Sequence, residues 1–451
     1  MGLQDFFNTK LTRVFQRNGK QLPKCIAIAL SGGVDSMALT HLAHRFSQQN
    51  DIQLFPITIN HNLRPTSTLE IPLIRQQLDK MGLLRNYHTM DIHLERASLT
   101  QSSTDAKEIE EEARVKRYAA LTEVCSSLGV RDVLLGHHLD DQIETYCIRL
   151  LKNSGIFGLA GMQELSKAPV NIKPERLQLV RPLLDVRKSQ LYEHCIANDI
   201  EWVQDYTNFD EEYGIRNVVR KYLKDNEAVQ DRMLSGYTAA MKFNHRTDLK
   251  IKKLYTSIKE DIQQDGGNIS MKIPTKMLEK YSDIVLAKFL FKMLYPLSPS
   301  RNYHYSFNKI LEIVPRLTEE STSNFTLLQL QWTSKTVDDH LIIEICRQNP
   351  SSPITYSFIM TPYSTSDDFL FDNTYWFKVE NTTSEYKHYT IKTLTQQDKQ
   401  LMETPPKDYK YSRYKNTPAL VDDDIGQIVA LPVFHKEDYI ACKLKDNIYS
   451  I

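Results

Sequence analysis

The run from Cys25 to Phe46, CIAIALSGGVDSMALTHLAHRF, decides how the first half of this chain folds. It opens with a short apolar stretch, breaks at SGGVDS (residues 31–36) and continues with apolar residues at helical spacing. A short apolar run closed by glycines is the pattern of a strand buried on both faces, as in a parallel sheet. The helix that follows begins with backbone N–H groups that lack intrahelical partners and point above the sheet. Gly32 and Gly33 permit close backbone approach, Ser31 and Ser36 add hydroxyl donors, and the helix dipole favours negative charge. The junction therefore predicts an anion site spanning Ser31, Gly32, Gly33, Val34, Asp35 and Ser36. No Lys follows the glycines, which separates it from the GxxxxGK[ST] loop, and Asp35 stands inside the anion site itself. A carboxylate beside phosphates implies a metal ion between them, most simply Mg2+ at Asp35.

Outward from this stretch, strand and helix signals alternate up to about residue 217. Apolar runs at 26–30, 54–59 and 133–135 are separated by helical patterns at 37–46, 70–81 and 109–128, the order of parallel βαβ units. Ligands of such sheets gather beyond the carboxyl ends of the strands, where the next motifs fall. One is INHNLR, residues 59–64, after the second strand; the other is GHHLDDQIET, residues 136–145, after the third apolar run. Asp141 and Glu144 lie one helical turn apart on one face, whereas Ile143, Cys147, Leu150 and Leu151 form a separate apolar stripe. Acidic residues are ordinary at a helix N-terminus, and one of these aspartates can simply cap. Their position at a strand end of the same sheet as SGGVDS favours chemistry.

SGGVDS in this setting resembles the pyrophosphate-binding loop of the N-type ATP pyrophosphatases, the PP-loop family, which cleave ATP between the α and β phosphates and adenylate an oxygen. HHLDDQIET, followed by LLKNSGIFGLAGM at 150–162, is similar to the matching segments of the tRNA(Ile)-lysidine synthetases. Further matches are Ala113-Arg114 with Arg117-Tyr118, Arg181-Pro182-Leu183-Leu184, and DYTN at 205–208 running into RNVVR at 216–220. The resemblance covers residues 25 to 220. Within it Asn62 replaces a usual Gly, and Lys152-Asn153 replace Arg-Gly.

The resemblance implies ATP as substrate, Mg2+ as cofactor, free L-lysine and a tRNA(Ile) with a CAU anticodon as partners, and lysine ligation to C2 of the wobble cytidine. By the same resemblance His61, Arg64, Arg114 and His137 join the loop residues in binding the nucleotide, and Arg216 contacts phosphate or adenylate. The chemistry runs in two steps. The C2 oxygen of a cytosine leaves poorly, so adenylation must come first, and the lysine amine then displaces AMP. That amine must be neutral to attack, and Asp141 or Glu144 is placed to hold the ammonium and accept its proton. Asp35, Asp141, Glu144 and Arg216 are thus the catalytic candidates.

With 451 residues the chain exceeds one core. The expected fold class is α/β: a parallel-sheet PP-loop domain at 1–217, a mainly helical tRNA-binding domain at 218–350 and a small α+β tRNA-binding domain at 351–451. Lys+Arg and Asp+Glu each total 56, so bulk charge does not announce a nucleic-acid partner and local patches must supply one. One candidate lies at 216–260, where eleven Lys/Arg meet five Asp/Glu among Tyr222, Tyr237, Phe243 and Tyr255. The other is KDYKYSRYK at 407–415, whose mixture of cations and aromatics suits phosphates and stacked bases.

Six scattered cysteines with no CxxC argue against a disulfide framework or structural zinc and fit a reducing compartment. They also count against a second PP-loop activity, sulfur transfer to tRNA, whose enzymes commonly carry paired cysteines. A non-catalytic RNA binder with a relict nucleotide site is disfavoured by the intact SGGVDS and HHLDDQIET. No run reaches the length of a membrane span, so a cytoplasmic protein is expected. Oligomeric state is not encoded legibly, and a homodimer stays open.

Overall fold

Alternate residues of the strand Cys25–Ala29 (β1) enter different cores: Ile26 and Ile28 one, Ala27 the other. That division requires a sheet covered on both faces. The computed structural model describes residues 2–16, 21–60, 67–93, 103–173, 175–203, 215–298, 306–319, 321–348, 352, 354–407 and 409–445. These divide into two compact units, Met1–Asn244 and His245–Ile451.

In the first unit β1 is joined by β2 (Gln53–Asn60), β3 (His88–Asp91), β4 (Asp132–Leu134), β5 (Leu165–Lys167) and β6 (Gln178–Val180). Their order is β3-β2-β1-β4-β6-β5, parallel throughout except that β5 runs antiparallel to β6. The helices are α1 (Leu3–Phe15), α2 (Val34–Asn50), α3 (Ser67–Lys80), α4 (Ser103–Ser127), α5 (Leu139–Leu151), α6 (Ile156–Leu159), α7 (Lys188–Ala197) and α8 (Ile215–Asp225), and α9 (Glu227–Ile258) begins here, its residues from His245 on belonging to the second unit. One sheet face is covered by α1, α2, α3 and α7, through residues such as Leu11, Leu39, Leu78 and Leu191. The other is covered by α4, through Tyr118, Leu121 and Cys125. The chain winds outward from β1 in both directions, so the crevice of this sheet opens beyond the carboxyl ends of β1 and β4. Those are the ends that carry SGGVDS and GHHLDD.

The second unit contains the helices α10 (Thr275–Leu278), α11 (Asp283–Met293), α12 (Phe307–Glu319) and α13 (Tyr411–Tyr414). It also holds an antiparallel sheet of β7 (Ile262–Asp265), β8 (Asn268–Pro274), β9 (Thr322–Leu327), β10 (Leu330–Val337) and β11 (His340–Arg347), ordered β7-β8-β11-β10-β9. Helical patterns near 284–294 and 305–314 and the strand near 341–345 are present as α11, α12 and β11. The other four strands carry few apolar residues, from one in β7 to three in β8, set among Gln, Ser, Thr and Lys, so apolar periodicity does not mark them. In β10, Leu330, Trp332 and Ser334 face inward between partly exposed neighbours. Leu330 and Trp332 then pack with Ile343, Phe289 and Ile310 in one core.

Beyond it, β12 (Thr355–Met360), β15 (Lys387–Thr393), β16 (Pro418–Asp422) and β17 (Gln427–Ala430) form a second antiparallel sheet, and β13 (Phe369–Phe371), β14 (Tyr375–Val379) and β18 (Ile440–Leu444) a third. The basic-aromatic segment 407–415 enters α13, and here one expectation needs correcting. Tyr414 is 0% exposed, its ring 4.2 Å from that of Phe434 and its hydroxyl 3.1 Å from His435 Nε2. An aromatic ring so enclosed serves the core and is not a platform for bases. Tyr237, on α9, is likewise buried. No helix among the described residues is long and apolar enough to cross a membrane.

Because the two units have separate cores, a cavity in one should be felt there first. Trp332→Ala should destabilise the second unit by about 3–5 kcal/mol. Denaturant unfolding followed by a probe in each unit checks this: the transition of the His245–Ile451 unit should move and that of the Met1–Asn244 unit should not. An equal shift of both would mean that the units unfold as one.

Candidate active site

The loop after β1 is shaped by a close approach at its first glycine. Gly32 has φ +83°, a left-handed conformation, and a Cβ there would lie 2.8 Å from Ile74 Cδ1. Its carbonyl accepts the amide of Val203 at 2.9 Å. Gly33 is the N-cap of α2 and offers no side-chain cap, so the first turn keeps its free amides. Ser36 is buried and ties the loop to itself: its Oγ donates to Gly33 O at 2.9 Å and lies 3.2 Å from Ser31 Oγ. Val34 points into the core.

Gly136, at the end of β4, touches the same loop. A Cβ at Gly136 would sit 3.2 Å from both the carbonyl carbon and oxygen of Asp35 and 3.3 Å from the Ser36 amide nitrogen. All three are backbone atoms of a helix start and cannot turn aside. The glycine of GHHLDD therefore sets how near the two strand ends come.

Two residues on, His138 caps α5. The Asp141 amide donates to His138 Nδ1 at 3.4 Å and the His138 amide donates to Asp141 Oδ2 at 3.1 Å. With Nδ1 accepting, the neutral ring carries its proton on Nε2. That nitrogen is 3.6 Å from Asp35 Oδ1 and 3.5 Å from Asp141 Oδ2. Asp35 Oδ2 lies 3.4 Å from the ammonium of Lys188. Burial works to raise the Asp35 pKa, but His138 and Lys188 outweigh it and hold the carboxyl below its usual range. Burial works to lower the His138 pKa, and Asp35 with Asp141 outweigh it and hold the imidazole above its usual range. His137 behaves oppositely. Burial pushes it down to about 4 against the pull of Asp141, with the charges of Arg181, Arg216 and Arg117 acting in the same direction as burial, so it is neutral near pH 7.

Glu144 is not an open carboxylate. It is buried, and Arg220 Nε donates to its Oε1 at 2.7 Å while Arg220 Nη2 and Arg216 Nε donate to its Oε2 at 3.0 and 3.2 Å. Such a clamp fixes both guanidiniums on α8 against α5. Asp140 is similarly engaged: Arg187 Nη1 donates to its Oδ1 at 3.0 Å and the Lys188 amide donates to its Oδ2 at 2.8 Å. Gln142 is fully buried and secures the glycine-rich segment, donating to Met162 O at 2.8 Å and accepting from Met162 N at 2.7 Å. Asn153, in the position of a usual Gly, has φ +50°, which Asn tolerates better than most residues.

The structure thus brings Ser31, Gly32, Gly33, Asp35 and Ser36 together with His138 and Asp141, and places Glu144 with Arg216 one turn along α5. Arg114 is exposed on α4 and close enough for its charge to act on Arg149 and Arg181. His61 and Arg64 lie outside the described residues. Sequence reasoning passed over Lys188, Arg220 and the capping role of His138. Arg220 stood in the matched segment RNVVR and Lys188 lies four residues beyond the matched RPLL, but nothing in the spacing singles out either residue.

Asp35 Oδ1 is buried and makes no hydrogen bond among the described residues. Those residues include no cluster of three or more His, Cys, Asp or Glu able to cage a metal. One hard oxygen ligand without a cage matches the habit of Mg2+, which takes one or two carboxylates and completes its shell with phosphate and water. The residues fit the ion.

Gly136→Ala tests the geometry. The added methyl should displace the loop by a few tenths of an ångström, cost about 1–3 kcal/mol by overpacking and weaken ATP binding at least several-fold. Titration calorimetry alongside thermal melting checks both, and unaltered ATP affinity would show that the strand-end contact does not hold the loop.

A family profile described as the PP-loop domain matches residues 3–227. The tRNA(Ile)-lysidine synthase of Rickettsia bellii is 34% identical over 239 residues, 53% of this chain and 51% of that relative. The protein of the same name from Rickettsia prowazekii is 36% identical over 208 residues, 45% of this chain and 43% of the relative. The chain spans about half the length of the curated relatives it matches. Among solved structures, a U34-tRNA thiolase from Methanococcus maripaludis superposes with a TM-score of 0.39 at 14% identity, covering 54% of this chain and 80% of that one. With the SGGVDS loop at the switch point of a parallel sheet, residues 3–227 of this chain belong to the PP-loop family.

Proposed function

We propose that this protein is an ATP-dependent ligase that joins free L-lysine to C2 of the wobble cytidine in the CAU anticodon of a tRNA(Ile). The products are lysidine, AMP and diphosphate, and the modified tRNA reads AUA in place of AUG. The observation that carries this reading is Asp35, set inside an anion-binding loop and facing the HHLDDQIET helix start of the neighbouring strand. Relatives named tRNA(Ile)-lysidine synthase support the substrate assignment.

The proposed mechanism follows from the groups present. Free amides at the start of α2, with Ser31 and Ser36, hold the β and γ phosphates. Asp35 would hold Mg2+ together with phosphate oxygens, and the ion would offset the charge developing on the leaving diphosphate. The cytidine C2 oxygen attacks the α-phosphorus, and the bond from that phosphorus to the bridging oxygen breaks. Arg216, with Arg114 and the neutral His137, faces the nucleotide, and Glu144 fixes the angle of Arg216 and Arg220. In the second step the lysine ε-nitrogen bonds to C2 and AMP departs with the oxygen.

Of the two candidate carboxylates, Glu144 has both oxygens bound to guanidiniums. Among the described residues Asp141 is hydrogen-bonded only through Oδ2. Asp141 is therefore the proposed holder of the ammonium and acceptor of its proton. The basic helices after Arg216 and the strand-rich C-terminal region are the proposed tRNA-gripping parts.

Asp35→Ala should reduce tRNA-dependent AMP formation by roughly a hundredfold or more and leave tRNA affinity nearly unchanged. Turnover within a few-fold of the parent protein would remove Asp35 from the chemistry. The two carboxylates can be separated by assaying diphosphate release without lysine against lysine incorporation. Asp141→Asn keeps an oxygen for the helix cap and should depress mainly incorporation, whereas Glu144→Gln should depress both about equally because it loosens the arginines. The reverse pattern would return the amine-binding role to Glu144.

A further inference from the structure

Lys188 is the first residue of α7, the helix end at which the dipole disfavours a cation. Its backbone is bolted down, because its amide donates to Asp140 Oδ2 at 2.8 Å and the preceding Arg187 holds Asp140 Oδ1 at 3.0 Å. Its side chain is 38% exposed and reaches back to place Nζ 3.4 Å from Asp35 Oδ2 and 5.9 Å from the centre of the Tyr192 ring. Helix stability does not account for this placement, and the ion pair is long and half solvated, so it is weakly held. The loop it borders has no lysine of its own among residues 31–36.

We propose that Lys188 is an exchangeable cation: it neutralises Asp35 while the loop is empty, and on arrival of a metal-bound polyphosphate it yields the carboxylate and binds the phosphate chain. The inference rests on the ATP-cleaving reading above and adds to it a named phosphate ligand outside the loop. Lys188 lies at Oδ2 while Oδ1 is the oxygen left for a divalent ion, so both cations would stand on one carboxylate and repel each other. A lysine freed from it lies within a side chain's reach of the phosphates that the loop amides bind. The anchored backbone means that only the stem must move.

The exchange gives Lys188→Met opposite effects on two probes of the full-length protein. Mn2+ alone, followed by electron paramagnetic resonance, should bind several-fold more tightly because its competitor at Asp35 is gone. Inorganic pyrophosphate with Mg2+, followed by calorimetry, should bind roughly ten- to a hundredfold more weakly, the range of a lost charge-assisted hydrogen bond. Lys188→Arg should restore most of the pyrophosphate affinity. General damage to the site would weaken both probes together, and that result overturns the proposal. So does unchanged binding of either probe. If the parent protein binds neither pyrophosphate nor ATP, the ATP-cleaving reading itself falls. If the parent binds both and only the variant's response is wrong, Lys188 alone is misassigned.

Discussion

A negative charge inside a phosphate-binding loop is the constraint on which the rest of the first unit turns. Asp35 would repel the ligand that the α2 amides attract unless its charge were met by a hydrogen-bond donor and a cation held at the right distance. The structure meets it from two directions, with His138 at the start of α5 and Lys188 at the start of α7. Each of those residues is held in turn, His138 by the reciprocal cap with Asp141 and Lys188 by its amide to Asp140. The consecutive aspartates thus divide the labour: one orients a histidine, the other a lysine. The parallel sheet makes this economical, because β1 and β4 are neighbours whose carboxyl ends emerge side by side.

Two features outside the Asp35 cluster tune that arrangement. Gly136 lets the end of β4 lie against the backbone of the loop, so the distance from Asp35 to His138 is set by main-chain packing rather than by flexible side chains. Glu144, buried beneath Arg216 and Arg220, converts two mobile guanidiniums into a fixed pair. Removing either arginine would leave a buried carboxylate short of a partner, a costly state. The clamp joins α8 to α5 beside their shared apolar contacts among Ile143, Val219 and Leu223.

What the sequence made legible was local. A strand, two glycines and a helix within 22 residues announce both the parallel sheet and the anion site, because each requires adjacent residues only. The second cluster could be placed beside the first from the position of its strand. Contacts over longer separations were hidden: Lys188 meets Asp35 across 153 residues and Arg220 meets Glu144 across 76, and a lone lysine or arginine carries no periodicity. The antiparallel strands β7–β10 were hidden for a different reason, since their inward faces carry only one to three apolar residues each. Tyr414 shows the limit of composition: interleaved lysines and tyrosines look like a nucleic-acid surface until one ring is found packed against Phe434.

Two cysteines sit on opposite sides of the parallel sheet, Cys125 on α4 in one core and Cys195 on α7 in the other. Burial pushes both thiols up to about 12, so at neutral pH almost none of either is thiolate. Since the thiolate is the reactive form, modification of either side chain must wait for its own layer to lift from the sheet. The first unit therefore carries two intrinsic clocks of local opening, one per layer. The clock on α7 keeps time for the helix that presents Lys188, and the clock on α4 for the helix that presents Arg114.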